Sequence, residues 1–269
     1  MGSKEPNHAY DRLSPVGRVT LVGAGPGAAD LITVRGQRAL AEADVVVYDD
    51  LANADLLDFC PVRATRIYVG KRAGRHYTPQ EEIGAILVRE ARLDRQVVRL
   101  KGGDPLVFGR AGEEAQVLAE AGIPFEIVPG VTAASAAGAV AGIPLTQRGQ
   151  ASAVVFVTGH ECRDKPDEAA VDWQALARTR ATLCIYMGVR RLPVIVKELR
   201  AGGLSGATPV AVVTHATLPQ QTVQTGDLDS AATLVAALAG QPALIIVGEV
   251  VRLAEVLSQA RARLETLPA

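Results

Sequence analysis

The sequence predicts an α/β protein made of two α/β domains with a cleft between them, and three observations carry that prediction. Short β-branched runs alternate with helical stretches along most of the chain. Hydrophobic residues make up 48% of it and aromatic residues only 4%, as suits a fold rich in Val, Ala and Leu. A Gly/Pro/Ala-rich segment at 129–149 separates two such alternating sets.

In the first set, strands are expected at 18–22, 44–48, 66–69, 96–100 and 125–128, with helices at 34–43, 79–93 and 111–121. That alternation argues for a mostly parallel sheet covered by helices on both faces. In the second set, strands are expected at 152–158, 181–186, 209–214, 221–225 and 243–247, with helices at 190–201, 227–239 and 250–264. No internal repeat is evident. The expected organisation is a flexible N-terminal tail over 1–17, an N-terminal α/β domain over 18–135 and a C-terminal α/β domain over 136–269. In such sheets ligands gather beyond the carboxyl ends of the strands or between domains.

Composition narrows the function. The formal charge is −1, which leaves no electrostatic footprint for nucleic acid or an anionic membrane. The longest run of small apolar residues, 131–145, is interrupted by Pro144 and is too short to span a bilayer. Cys60, Cys162 and Cys184 are odd in number and far apart. That spacing speaks against a disulfide framework or a zinc ribbon and fits a reducing cytoplasm.

Several strand ends run into loops with chemistry. "VGAGPGAAD" (22–30) matches the permissive dinucleotide pattern G-x-G-x-x-A at Gly23, Gly25 and Ala28, with Asp49 and Asp50 ending the next strand. A nicotinamide-dependent dehydrogenase is therefore a rival reading, and so is a plain glycine turn. Pro26 inside the turn, and a helical pattern starting only near Thr33, weaken the dinucleotide reading because no helix N-terminus would face a pyrophosphate. "RLKGGDPLVFGRAGEE" (99–114) is a different kind of loop. Its lysine precedes the glycines, unlike a Walker loop. Gly102 and Gly103 carry no Cβ, so a flat ligand could lie on the backbone. Asp104 adds one acceptor and Pro105 stiffens the exit. That set suits a ligand with hydroxyl, amine or positive groups, such as S-adenosylmethionine; a strand-to-helix turn with an Asp cap uses the same residues. Arg110 and Glu113, three apart, share one helix face or form a surface pair. His160 and Met187 follow strands, where a structural His and a core-filling Met are the ordinary alternatives.

The motifs "VGAGPG", "VYDDL", "GKR", "RLKGGDPLVFGRAGEE", "VPGVTAASAAGAVAGIPLTQRG", "FVTGH", "YMG" and "PALIIVGEVV", in this order from 18 to 251, resemble the tetrapyrrole methylase family. Within it they resemble the members that act on uroporphyrinogen III. The resemblance implies two α/β domains in the tetrapyrrole methylase fold, a homodimer, and S-adenosylmethionine in the cleft, released as S-adenosylhomocysteine, without a metal. It implies methylation of uroporphyrinogen III at C2 and C7, giving precorrin-2 by way of precorrin-1, toward sirohaem, cobalamin or haem d1. A methylase of a later precorrin is the nearest alternative.

Carried over by motif, the donor contacts fall on Pro26, Gly102, Gly103, Asp104, Val107, Thr132, Ala133, Met187, Ala216, Pro242 and Ala243. Acid–base or catalytic positions fall on Asp49, Lys71, Arg110, Glu113 and Arg148. Arg110, Glu113, Arg148, His160 and Met187 fall on the substrate face. The chain departs from the family pattern at Ala28–Ala29 and in "THAT" (214–217), which puts the Ala216 contact in question. An acceptor with eight carboxylates requires cations, and Arg110, Arg148, Arg190, Arg191 and the Lys71–His76 cluster are the candidates.

Overall fold

The computed structural model describes residues 16–70, 78–160, 171–238 and 240–257. The tail expected at 1–17 falls almost wholly outside them, as do Lys71, Arg72, Arg75, His76 and Cys162.

The described residues form two five-stranded sheets. The first uses β1 (Arg18–Gly23), β2 (Val45–Tyr48), β3 (Thr65–Tyr68), β4 (Gln96–Lys101) and β5 (Phe125–Val128) in the order β3-β2-β4-β1-β5. Every pairing in it is parallel, as the alternation with helices requires. Helices α1 (Val34–Ala41), α2 (Gln80–Ala91) and α3 (Ala111–Glu120) fall within the stretches expected to be helical. Alternate strand residues face opposite cores. Val45, Val47 and Val97 pack with Leu87 and Leu118, whereas Val46, Val98 and Leu100 pack with Leu40 and Leu56.

The second sheet uses β6 (Val154–Thr158), β7 (Thr182–Tyr186), β8 (Pro209–Thr214), β9 (Thr222–Asp227) and β10 (Ala243–Val247) in the order β6-β7-β10-β8-β9. Only β6 and β7 pair in parallel; β10 lies antiparallel to both β7 and β8, and β9 is antiparallel to β8. Helices α5 (Trp173–Arg178), α6 (Leu192–Ala201) and α7 (Ala231–Val235) accompany this sheet.

Three differences from the sequence expectation have physical causes. Helix α4 (Ala133–Ala141) lies inside the Gly/Pro/Ala-rich segment. Its residues are small on every side, so it shows no amphipathic stripe, although alanine is the strongest helix former. The helix expected over 227–239 is confined to α7, because Asp227 and Ser230 close a turn first: Ser230 N–H donates to Asp227 Oδ1 at 2.9 Å and Asp227 N–H to Ser230 Oγ at 3.0 Å. Helix α5, unassigned from sequence, is capped by Asp172, which accepts from Ala175 N–H at 2.8 Å.

Helix α4 positions the site. It follows β5 of the first sheet, yet Ala134, Ala137 and Ala141 pack into the second sheet's core with Ala211, Leu244 and Ile246. Its first turn thus sits where the two sheets meet. Among the described residues no helix is long and apolar enough to cross a membrane.

Candidate active site

The carboxyl ends of the first sheet's central strands converge on a glycine crossing. Gly25 and Gly103 form an antiparallel bridge, with Gly103 N–H donating to Gly25 O at 2.7 Å and Gly25 N–H to Gly103 O at 3.2 Å. Gly23 and Gly130 touch backbone to backbone: a Cβ on Gly23 would stand 2.6 Å from Gly130 Cα. Asp104 pins the crossing, with Oδ1 accepting from Leu106 N–H at 2.9 Å and Oδ2 from Gly130 N–H at 3.0 Å.

The two glycines of "GGDP" do different work. A Cβ on Gly102 would strike Leu51, at 2.7 Å from its carbonyl oxygen, so that glycine admits a neighbouring loop rather than a ligand. Gly103 has φ +69°, and a Cβ there would meet nothing nearer than Ala133 N at 4.0 Å. Gly103 alone of the pair offers a side-chain-free face to open space.

That space is a cavity of about 870 Å³ between the sheets, within the range of small-molecule sites. Every expected donor contact lines it: Pro26 from the first turn; Gly102, Gly103, Asp104 and Val107 from the second; Thr132 and Ala133 from the start of α4; and Met187, Ala216, Pro242 and Ala243 from the second sheet. Asp49 lines it too. Arg110, Glu113, Arg148 and His160 are not among the lining residues. Arg110 and Glu113 form an exposed fork-to-fork pair at 2.8 and 2.7 Å, which holds the Glu113 carboxyl below its ordinary value through that hydrogen bond. Arg148 is exposed in the turn closed by the Gln147–Ala151 bridge, and His160 is exposed after β6. Lys71 lies outside the described residues.

Other lining residues escaped the sequence reading. Tyr48 and Tyr186 end β2 and β7 at the cavity, and Tyr68, Phe108 and His215 join them. A Tyr as the last residue of an apolar strand was the available signal. Tyr186 ties α4 to the second sheet. Its hydroxyl lies 2.7 Å from Thr132 Oγ1 and accepts from Ala134 N–H at 3.1 Å. Burial raises its pKa, partly offset by those two bonds, so it stays a neutral phenol. Phe108 rests against its ring at 4.8 Å between centroids. On the opposite wall, Ala28 N–H donates to Thr217 Oγ1 at 2.9 Å. Gly27 nestles where a Cβ would meet Leu218, Ala216 and Thr217. The two departures from the family pattern therefore touch each other, and Ala216 keeps its place in the wall.

Beneath Asp49 lies a charged cluster. Arg99 and Lys101 are 3% and 4% exposed, and Glu114 is 1% exposed. Burial pushes the Lys101 ammonium below its ordinary pKa, Arg99 adds to that effect, and Glu114 opposes it.

The family model of the tetrapyrrole (corrin/porphyrin) methylases matches residues 18–232. The chain belongs to the tetrapyrrole methylases. Similar solved structures include uroporphyrin-III C-methyltransferase from Thermus thermophilus complexed with S-adenosylhomocysteine, 42% identical, with TM-score 0.74 over 88% of this chain and 99% of that one. A cobalt-precorrin-4 methyltransferase is 30% identical, with TM-score 0.77 over 87% of this chain and 95% of its own. The siroheme synthase of Baumannia cicadellinicola is 51% identical over 245 residues, which are 91% of this chain and 52% of that protein. The chain spans about half the length of the curated relatives it matches. The two-sheet arrangement of this methylase matches the native form of uroporphyrin III C-methyltransferase from Thermus thermophilus with TM-score 0.74. The dinucleotide reading of its first turn is not favoured. Gly23 and Gly25 are spent on contacts with Gly130 and Gly103, and α1 starts only at Val34, after a 3-10 turn at Ala29–Leu31.

Proposed function

We propose that this methylase carries out S-adenosylmethionine-dependent methylation of uroporphyrinogen III at C2 and C7, giving precorrin-2 by way of precorrin-1. The observation that carries the reading is the convergence of every expected donor contact on one cavity, around the open face of Gly103. The residues present fit the donor: a side-chain-free backbone surface, the Asp104 carboxylate beside it, and apolar wall atoms from Val107, Ala133 and Ala243. When bound, S-adenosylmethionine supplies a methyl group on a cationic sulfur and leaves as S-adenosylhomocysteine.

The chain's own task is placement. Rigid wall residues align donor and ring carbon, and such alignment can supply about 7–11 kcal/mol of the barrier reduction. Phe108, Tyr186 and Met187 give that wall an apolar surface for the donor's methyl end. Asp49 is one of three aspartates that line the cavity, with Asp50 and Asp104; where a methylated, cationic ring must lose a proton, Asp49 serves as acceptor or counter-charge. Lys71 is its expected acid–base partner. Arg190 lines the cavity and meets a substrate carboxylate, while Arg110 and Arg148 serve carboxylates that reach beyond the cavity. A homodimer in a reducing cytoplasm belongs to the same reading, supported by the family resemblance and the dispersed cysteines.

The test incubates the protein with uroporphyrinogen III and methyl-labelled S-adenosylmethionine. Label entering the tetrapyrrole twice per ring supports the reading. Label entering only a later precorrin moves the chain to that branch, and a thermal shift with NADH but none with S-adenosylhomocysteine revives the dinucleotide reading. Within the same assay, Arg190→Ala is expected to raise the acceptor KM about tenfold, the worth of one charge-assisted bond, while S-adenosylhomocysteine affinity in calorimetry stays unchanged. Arg110→Ala and Arg148→Ala should lower turnover with donor affinity retained; unchanged turnover removes them from the site.

A further inference from the structure

Arg99 belongs to no motif role assigned above. It sits in the middle of β4, paired in register with Val47 of β2 and Leu21 of β1. Its side chain points to the face covered by α2 and α3, and is 3% exposed. Every nitrogen of its guanidinium is engaged. Nη2 donates to Asp49 Oδ2 at 2.7 Å, Nη1 to Leu100 O at 2.9 Å and Val47 O at 3.4 Å, and Nε to Glu114 Oε1 at 3.3 Å. Glu114 is itself held by Lys101 Nζ at 2.8 Å and Gln80 Nε2 at 3.1 Å. A guanidinium locked by its acceptors cannot swing, and its planar fork sets a direction that a lysine point charge does not.

Asp49 receives the output of that lock. Its other oxygen, Oδ1, accepts from Leu51 N–H at 3.1 Å, and Leu51 is the residue packed on Gly102. Two donors from two directions fix the plane of the carboxylate at the cavity wall. We propose that Arg99 is a positioning residue, which acts through Asp49 by orienting its carboxylate toward the cavity, with Glu114 as the anchor that immobilises Arg99. That Asp49 takes part in methyl transfer rests on the function proposed above; that Arg99 orients it does not.

The test is a cycle of Arg99→Lys and Asp49→Asn with a crystallographic readout. Arg99→Lys keeps the charge count, so the fold and S-adenosylhomocysteine affinity should survive. Turnover should fall about tenfold or more with little change in acceptor KM, because a misplaced group costs rate rather than binding. In the Asp49→Asn background the same change should cost less than about twofold, since an effect that runs through Asp49 vanishes with it. The Arg99→Lys crystal should show the Asp49 carboxylate rotated. If Arg99→Lys does not fold, Arg99→Gln replaces it, because Glu114 keeps Lys101 as partner. An Asp49 carboxylate unmoved in the variant crystal overturns the inference, as does equal slowing in both backgrounds. Should the wild-type protein methylate no tetrapyrrole, the proposed function falls, and the orientation of Asp49 in the crystal still decides the role of Arg99.

Discussion

Gly130→Ala should weaken binding of S-adenosylhomocysteine about 100-fold and strip the protein of a large part of its stability. A methyl group at 130 would fall on the carbonyl oxygen of Gly103 and stand 2.8 Å from Gly23 Cα. All of these are backbone atoms, so no side chain can turn aside. Three chain segments would have to part: the end of β1, the "GGDP" turn and the loop into α4. Overpacking usually costs about 1–3 kcal/mol, and separating fixed backbones lies at or above the top of that range. Against a typical stability of about 5–15 kcal/mol, the variant should melt well below the parent. Its donor affinity should drop by tenfold for every 1.4 kcal/mol lost from the Gly103 face, or about 100-fold. Gly112→Ala is the control. Gly112 lies in α3 with nothing within 4 Å of an added Cβ, so alanine there should stabilise the helix by about 0.5–1 kcal/mol. Denaturant titration and calorimetry on both variants check the pair; a Gly130→Ala protein that binds as tightly as the parent would show that the crossing can open.

Glu114→Ala should be the most damaging change in α3, and its neighbour Glu113→Ala nearly silent. Glu114 is buried and is the only carboxylate within hydrogen-bond reach of Lys101 among the described contacts. Removing it leaves two cations without their shared counter-charge in the first sheet's core. Breaking a buried pair from one side costs about 3–5 kcal/mol. Glu113 faces solvent, paired with an arginine that is itself half exposed, and such pairs contribute about 0–1 kcal/mol. Urea unfolding of the two single variants measures the contrast directly. Similar midpoints would mean that water reaches Arg99 and Lys101.

That contrast also shows where sequence reading succeeds and where it stops. The strands were legible because β-branched runs bounded by turn residues leave few alternatives, and all ten lie where those runs are. The partners of β10 were not legible. It inserts between β7 and β8, a choice made by core packing across a long stretch of chain. The pattern "VVRLK" reads as a strand with one wet face, since Arg99 and Lys101 alternate with Val98 and Leu100. The wet face turns out to be dry because α3 brings Glu114 to it, a contact that spacing along the chain does not announce. At the cavity, the glycine-rich turns could be found from residue type. Which glycine faces the cavity and which faces Leu51 depends on a loop from another strand, and only the fold reveals it.

The path of α4 has a thermodynamic consequence. Its opening residues face the cavity, its body fills the core beneath the second sheet, and Tyr186 clasps its start. Residues of both sheets line the cavity, so a ligand bound there is expected to raise the melting temperature of the whole protein with ligand concentration.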